Sequence, residues 1–360
     1  MKRVFISDCE GPISKNDNAF ELTAGFVPNG NRVFSLISKY DDVLADVLEK
    51  PGYNPGDTLK LILPFLKAFD VTDKQMRDFS AENIVLIADS KESLIYIRSI
   101  SEAFIVSTSY EHYIQSLCDA LEFPFENTFC TRLVFDKYGL YDREKLELRE
   151  IAKEIAQKPM ITIPDSARSI LDFSQQDQET IKCLDKIFWN NIVAMSIGRI
   201  FSEVTPIGGH QKAEAVKAAV KKAGVKMADV VYVGDSITDV EAFKLVRSNG
   251  GLTLSFNGNQ YAIRSAEVAV MSESNIVTAF IADLFCRFTK REVTEILGDW
   301  SRETLERSRA PELIVKKLFE THPTALPKIK IVTSENEKTL VRESSEFRKE
   351  VRGQAIGRLG

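Results

Sequence analysis

The sequence predicts an α/β fold in which helices cover both faces of a parallel sheet. Short apolar runs rich in β-branched and aromatic residues recur along the chain, and such runs are typical of buried strands. Five of them lie at positions 4–7, 103–107, 230–234, 251–255 and 268–271. Helical patterns adjoin these runs at positions 90–100, 111–121, 212–223 and 239–247. Because the runs are apolar on both faces and alternate with helices, we expect a parallel sheet that is buried on both sides.

Two long stretches interrupt this alternation and are predicted to be helical insertions. The first contains helical patterns with turn signals at Pro28-Asn29-Gly30 and Pro51-Gly52. We expect an α/β core at 1–14, 85–136 and 206–288, a helical cap at 15–84, a second helical insertion at 137–205 and a helical C-terminal extension at 289–360. The charge-rich final residues of the extension are expected to fray or to depend on a partner.

Composition and charge argue against several classes of protein. The chain has 47 lysine and arginine residues against 52 aspartate and glutamate residues, and its net charge of −5 offers no footprint for nucleic acid or an anionic membrane. The five cysteines form no CxxC pair and the three histidines lack a metal-ligand spacing, so a disulfide framework or a zinc site is disfavoured. The first predicted strand is not followed by GxGxxG, which disfavours dinucleotide binding.

Hydropathy predicts a cytoplasmic protein with no membrane partner. The N-terminal segment MKRVFISDCEGP turns polar after six residues, which is too short for the apolar part of a secretory signal. The most apolar stretches, at 59–66 and 276–285, are far shorter than the ~20 residues that span a membrane. Unpaired cysteines also fit a reducing compartment.

Asp8 ends the first predicted strand and is followed by Glu10 and Gly11. Ligands of open α/β sheets bind outside the carboxyl ends of the strands. A carboxylate there can attack phosphorus and form an aspartyl-phosphate, and Glu10 can serve as acid and then as base. Gly11 permits a tight turn that brings main-chain N–H groups near a phosphate. A strand that simply ends in a polar turn explains this segment equally well.

The segment from Val231 to Asp239 is the most specific in the chain. A buried strand runs into Gly234-Asp235, and a second acid follows four residues later, at Asp239. Two carboxylates beside Asp8 would form an oxygen-rich site suited to Mg²⁺, which is a hard cation. Asp239 could instead be only a helix cap, although that leaves Asp235 unexplained.

Two further segments supply candidate phosphate ligands. Ser107 and Thr108 follow the second predicted strand, and either could offer its hydroxyl group to a phosphate. Lys212 opens an amphipathic helix, where a cation is mildly unfavourable against the helix dipole unless an anion lies nearby. Taken alone, a segment like the first is more often a strand with a polar end, and a lysine like Lys212 is more often solvated.

In this order and form, the four segments resemble the haloacid-dehalogenase superfamily of aspartate-nucleophile hydrolases. The matching pattern is DxE at Asp8, a hydrophobic strand ending at Ser107, a lone Lys212, and Asp235 with Asp239 after the glycine. The resemblance covers the core segments and leaves out the two insertions and the tail. It implies an α/β, Rossmann-like parallel-sheet core with helical cap insertions and a helical C-terminal tail.

The resemblance also implies a role for each matching residue. Asp8 would be the nucleophile and a Mg²⁺ ligand. Glu10 would be the general acid and base, and its main-chain carbonyl would bind the metal. Lys212 would hold the phosphoryl group with Ser107 or Thr108, and would offset the charge of Asp8. A separate pair would complete the metal site, with Asp235 as a ligand and Asp239 supporting the metal or orienting the lysine.

Glu10 departs from the aspartate that most phosphatases of this superfamily carry at the same position. Glutamate is one methylene longer, so its carboxyl group must fold back to reach the same point. Some members do carry the DxEG form, which is compatible with phosphatase chemistry. The DCEGP start and the overall layout resemble an archaeal group of unassigned hydrolases of this type, some labelled as accessory subunits of an energy-converting hydrogenase.

The function we predict is Mg²⁺-dependent hydrolysis of a small phosphorylated metabolite, because a helical cap that excludes bulk water favours a small substrate. A phosphotransferase or phosphomutase would use the same residues. A regulatory or accessory subunit with a vestigial site is the alternative from another class, and its tail could bind a protein partner or self-associate.

Arg32, Arg77 and Arg98 are candidates for binding a second anionic group, although each is also typical of a solvated surface.

Overall fold

A seven-stranded sheet lies at the centre of the protein. The computed structural model describes residues 2–164, 166–308 and 310–359. In chain order the strands are β1 (Val4–Ser7), β2 (Glu102–Tyr110), β3 (Thr128–Thr131), β4 (Val230–Gly234), β5 (Leu252–Phe256), β6 (Val268–Met271) and β7 (Lys328–Ile331). Their order in the sheet is β3-β2-β1-β4-β5-β6-β7, and every neighbouring pair is parallel except β6 with β7. The predicted α/β class is confirmed.

Side chains alternate between the two faces of the sheet, and helices cover both faces. Val4 and Ile6 pack in one hydrophobic cluster, whereas Phe5 packs in the cluster on the opposite face. All three are at most 2% exposed, which is why this strand is an uninterrupted apolar run. The helices of the core are α5 (Ser90–Ile100), α6 (Glu111–Leu121), α10 (His210–Ala223), α11 (Val240–Ser248), α12 (Gln260–Ser265) and α13 (Ile276–Arg287).

Two strands have no counterpart in the sequence prediction. The β3 segment TFCT is short and half polar, so its hydrophobic signal is weak. The β7 segment KIKI lies at the sheet edge, antiparallel to β6, with Ile329 2% exposed and Lys328 in solvent. An edge strand needs only alternate apolar residues, and charged residues discourage pairing with another chain. The predicted C-terminal extension therefore contributes a strand as well as helices.

Two stretches of the chain form one helical cap: one lies between β1 and β2, and the other lies between β3 and β4. Its helices are α1 (Asn18–Phe26), α2 (Gly30–Asp42), α3 (Thr58–Ala68), α4 (Asp73–Glu82), α7 (Asp142–Gln157), α8 (Gln175–Lys186) and α9 (Ile200–Glu203). Ile37 and Phe65 from the first stretch share a hydrophobic cluster with Leu148 and Phe188 from the second. Stretches separated by more than fifty positions in the sequence thus pack as a single body over the sheet.

The chain enters and leaves the first part of the cap through two adjacent segments. The N–H group of Lys15 donates to the carbonyl of Val85 at 2.8 Å, and that of Ile87 donates to the carbonyl of Ile13 at 2.9 Å. We call residues 13–16 and 84–87 the cap hinge. Because residues 13–16 follow Asp8 closely along the chain and pair with residues 84–87, the cap is anchored next to the candidate site.

The C-terminal helices pack on the core instead of fraying. They are α14 (Lys290–Gly298), α15 (Arg302–Arg307), α16 (Glu312–Thr321) and α17 (Glu337–Arg352). Leu340 of α17 joins Ile263, Ala269 and Met271 in a hydrophobic cluster. The expectation of a frayed end was wrong because α17 buries one face despite its charge. Within the described residues, no helix has the length and apolar character needed to cross a membrane.

Replacing Leu340 by alanine is expected to lower the free energy of unfolding by about 2–5 kcal/mol, because a buried leucine leaves a cavity. Leu340 is 2% exposed. Leu146→Ala is the matched control, since Leu146 lies on a helix but is 63% exposed, and we expect a change within about 0.5 kcal/mol there. Urea denaturation followed by circular dichroism measures both. Equal effects would contradict the docking of α17 on the core.

Candidate active site

Asp8 lies immediately after β1, at the point where the strand order reverses. The neighbours of β1 are β2 on one side and β4 on the other, so their carboxyl ends surround a crevice of the kind that binds ligands. The Asp8 N–H group donates to the carbonyl of Val233 at 2.8 Å, and its Oδ1 accepts from the Cys9 N–H group at 2.6 Å. Asp8 is therefore held at the carboxyl end of the central strand β1, and it is 5% exposed.

Lys212 joins Asp8 to Asp239 across the crevice. Its Nζ lies 2.6 Å from Asp8 Oδ2 and 2.7 Å from Asp239 Oδ1, and the side chain is fully buried. Although burial lowers the pKa of Lys212, the carboxylates of Asp239 and Asp8 raise it above its ordinary value, so the ammonium group stays charged. The sequence-predicted lysine thus has the anionic partners that its place near a helix N-terminus requires.

Asp239 is enclosed by hydrogen-bond donors. Besides Lys212, its Oδ1 accepts from the Tyr232 hydroxyl group at 2.7 Å. Its Oδ2 accepts from the N–H groups of Asp235 at 2.9 Å and Ser236 at 3.0 Å. A Cβ atom on Gly234 would overlap the Asp239 carboxyl group, so the strand must end in glycine here. Asp239 fastens the turn after β4 and fixes Lys212.

Asp8, Asp235 and Asp239 form an acidic cluster that suits a divalent cation. One carboxylate oxygen from each residue lies within 4.8 Å of the others, and all three side chains are buried. Burial, together with the neighbouring Asp239 and Asp235 carboxylates, raises the pKa of Asp8 to about 7 against the opposing charge of Lys212. Oxygen-only ligands that repel one another in this way fit Mg²⁺. A cation here would favour the ionised form of Asp8.

Ser107 and Thr108 lie beside Asp8 on β2, and their hydroxyl groups have different surroundings. The Thr108 hydroxyl group donates to the carbonyl of Ile207 at 3.0 Å. Ser107 Oγ accepts from the Ser109 N–H group at 3.2 Å, and its own O–H group donates to none of the described residues. Ser107 is 1% exposed and borders the same cavity as Asp8.

Glu10 extends from the sheet edge to the first helix of the cap. Its Oε1 accepts from the N–H group of Asn18 at 2.6 Å, at the first residue of α1. Burial raises the pKa of Glu10 well above its ordinary value, and the nearby Asp17 carboxylate adds to this, while the Asn18 N–H group opposes it. The longer side chain of glutamate thus brings the carboxyl group against the cap.

Comparison with known proteins identifies the family of this arrangement. A sequence model described as haloacid dehalogenase-like hydrolase matches residues 60–283, which is more than half of the chain. The chain belongs to the haloacid dehalogenase-like hydrolases. The matched region includes Ser107, Lys212, Asp235 and Asp239 and begins after Asp8. A search of curated proteins found no significant match.

One solved structure extends the likeness of this hydrolase over its whole length. Gene product AF1437 from Archaeoglobus fulgidus is 26% identical, with a TM-score of 0.81, and the match covers 100% of this chain and 99% of that one. The shared fold therefore includes the cap and the tail. Phosphoserine phosphatase in apo form is 12% identical with a TM-score of 0.42, over 76% of this chain and 96% of that one. A substrate-bound phosphoserine phosphatase complex is 13% identical with a TM-score of 0.46, and the match covers 76% of this chain and 95% of that one.

A cavity of about 110 Å³ connects these residues of the hydrolase to the cap and the tail. Its wall includes cap and tail residues that the sequence did not single out: Asp17, Phe34, Asp41, Asp42, Thr58, Leu59, Arg348, Arg352 and Leu359. The three arginines that the sequence suggested lie outside this wall. Arg32 binds the carbonyl of Lys158 and Arg98 that of Glu122, and Arg77 is exposed.

Gly11 sets the path of the chain from Asp8 toward the cap. Its φ of +106° is one that other residues rarely adopt, and a Cβ atom would overlap the Asp235 carboxylate. Gly11→Ala is therefore expected to lower the free energy of unfolding by about 1–3 kcal/mol.

Gly139→Ala is the control for this substitution, because a Cβ atom there meets nothing within 4 Å and the backbone is not in the left-handed region. We expect it to change the free energy of unfolding by no more than about 0.5 kcal/mol. Thermal unfolding monitored by circular dichroism compares the two variants. A Gly11→Ala protein as stable as Gly139→Ala would refute the close approach of Gly11 and Asp235.

Proposed function

We propose that this hydrolase is a Mg²⁺-dependent phosphatase that hydrolyses a small phosphorylated metabolite through an aspartyl-phosphate on Asp8. The observation that carries the proposal is the buried Lys212 ammonium group, held between Asp8 at 2.6 Å and Asp239 at 2.7 Å, with Asp235 completing an acidic cluster. A nucleophilic carboxylate, a fixed cation beside it and an oxygen-rich metal site are the parts that phosphoryl transfer to aspartate requires.

In the first step, an Asp8 carboxylate oxygen attacks phosphorus while the bond from phosphorus to the leaving-group oxygen breaks. Glu10 donates its proton to that leaving oxygen. Burial raises the pKa of Glu10, which favours the protonated form that this step uses. Lys212 offsets the charge of Asp8 and lies where it can bind a phosphoryl oxygen.

In the second step, water attacks the phosphorus of the aspartyl-phosphate, and Glu10 removes a proton from that water. The bond from phosphorus to the Asp8 oxygen breaks, which returns the free carboxylate and releases phosphate. Mg²⁺ held by Asp8, Asp235 and the main chain at Glu10 would supply positive charge to the phosphoryl oxygens. Asp239 supports this centre through Lys212 and the turn after β4.

Ser107 is the residue we assign to phosphoryl binding within this proposal. Its O–H group donates to none of the described residues, whereas Thr108 donates its proton to the carbonyl of Ile207. Thr108 then shapes the cavity wall through its backbone and methyl group. A free hydroxyl donor at the end of β2 is suited to a phosphoryl oxygen.

A small substrate is supported by the size and closure of the site. The cavity of about 110 Å³ is lined by cap residues such as Phe34 and Leu59, and Asp8 in its wall is 5% exposed, which favours a small substrate. The tail supports the same reading, because α17 packs its buried face on the core of its own chain. A protein partner or a second copy would have to bind the exposed face of that helix.

Asp8→Asn is expected to abolish Mg²⁺-dependent phosphate release, because the amide cannot act as the nucleophile. Purified protein is assayed against a panel of phosphorylated metabolites with Mg²⁺ and with EDTA. Asp119→Asn is the control, since Asp119 is exposed on α6 and should leave turnover unchanged. Undiminished turnover in Asp8→Asn would overturn the mechanism. Transfer to an added hydroxyl compound in place of water would instead identify a phosphotransferase.

Glu10→Gln is expected to lower kcat by about 10²–10⁴-fold, because the amide can neither donate nor accept the catalytic proton. The amide oxygen can still accept from the Asn18 N–H group, so the contact with the cap is kept. Glu82→Gln, at an exposed position on α4, is the control. Wild-type kcat in Glu10→Gln at every pH tested would exclude Glu10 as the acid and base.

A further inference from the structure

The buried face of α17 changes from apolar to cationic along its length. Leu340, Ser344, Arg348 and Arg352 are spaced four residues apart and are all at most 8% exposed. Leu340 packs on the core, and the Ser344 hydroxyl group donates to the carbonyl of Gly258 at 2.6 Å. These two contacts set the helix so that the next two turns place both arginines in the wall of the cavity.

Both arginines bind the same oxygen of Asp235. Arg348 Nη1 donates to Asp235 Oδ2, and Arg352 Nη1 donates to that atom at 3.2 Å. Asp235 Oδ1 accepts no hydrogen bond from the described residues, although Asp235 is 1% exposed and borders the cavity. A carboxylate oxygen without a protein partner in the wall of a cavity is available to a ligand that enters the cavity.

Arg352 also binds the cap hinge. Its Nε donates to the carbonyl of Lys15 at 3.0 Å, and its Nη2 donates to the carbonyl of Asn16. One guanidinium group therefore joins Asp235 to the segment through which the chain enters the cap. The planar fork of arginine suits this role, because its donors point in fixed, divergent directions.

Carboxyl groups around the cavity outnumber the cations that pair with them. The carboxyl groups are those of Asp8, Glu10, Asp17, Asp41, Asp42, Asp235 and Asp239. The cations are Lys39, Lys212, Arg348 and Arg352. Seven carboxyl groups against four cations leave acidic groups for a divalent cation even with both arginines present.

We propose that Arg348 and Arg352 are positioning residues for the metal centre, which hold Asp235 Oδ2 so that Oδ1 is presented to Mg²⁺. The inference rests on the proposed function, because it assumes a metal at Asp235. Groups that orient a metal ligand raise affinity without touching the metal. By linkage, Mg²⁺ binding and the docking of α17 strengthen each other. If the guanidinium groups instead competed with the metal, removing them would tighten Mg²⁺ binding, and added Mg²⁺ would speed amide exchange in α17.

The first test is calorimetric titration of the full-length protein with MgCl₂. Arg348→Gln and Arg352→Gln are expected to weaken Mg²⁺ binding by about 10–100-fold, the usual effect of losing a group that orients a ligand. Arg348→Lys should restore part of the affinity, since it keeps the charge but loses the fork. Arg342→Gln is the matched control, because Arg342 is exposed on the same helix. Unchanged or tighter binding in a folded Arg348→Gln protein overturns the proposal.

The second test needs no substitution. Hydrogen exchange of the wild-type amides at 344–352 is expected to slow when MgCl₂ is added, and faster or unchanged exchange overturns the proposal. Asp235→Asn distinguishes a failure of the proposed metal site from a failure of the role proposed for the arginines. If the wild-type protein does not bind Mg²⁺, or if Asp235→Asn binds it equally well, the metal site of the proposed function fails, and this inference fails with it. If such binding exists but Arg348→Gln matches wild type, only the role of the arginines fails.

Discussion

The structure of the site depends on one buried ammonium group. Burying a lysine is costly unless it is paired, and removing one partner of a buried ion pair typically costs about 3–5 kcal/mol. Lys212 meets this constraint with two carboxylates, at 2.6 Å on Asp8 and 2.7 Å on Asp239. Since those acids follow different strands, the ammonium group fixes the ends of β1 and β4 relative to each other. The chemistry proposed for Asp8 requires the same arrangement.

Two glycines are needed because the segments of the site approach each other so closely. Asp239 can fold back under β4 only because Gly234 has no Cβ atom, and Asp235 can lie against the first turn only because Gly11 has none. The approach of these segments concentrates carboxylates, which is why burial and neighbouring charge raise the pKa of Asp8 to about 7. Without a further cation the cluster stores repulsion, and a divalent ion would relieve it.

The sequence predicted the residues that are local to strand ends and missed those that are not. The sequence predicted that Asp8, Ser107 and Asp235 lie together, and they border one cavity because a parallel sheet brings the carboxyl ends of its strands to the same side. Whether Ser107 or Thr108 offers its hydroxyl group depends on a contact with Ile207, far along the chain, so no local pattern could decide it. Arg348 could not be found for a related reason. Its buried stripe on α17 contains one leucine, one serine and two arginines, which on a charged helix is indistinguishable from a solvated face.

The buried arginines of α17 change how the parts of the site are connected. Glu10 contacts the first turn of α1, so the acid and base is held by the cap as well as by the sheet. Arg352 binds main-chain carbonyls of Lys15 and Asn16 together with the side chain of Asp235. A displacement of the cap hinge relative to α17 would therefore change a contact shared with the proposed metal ligand. Because the hinge acceptors are backbone atoms, this connection depends on where the chain runs and not on the identity of the hinge side chains. Cap position, tail docking and metal geometry are thus expected to change together.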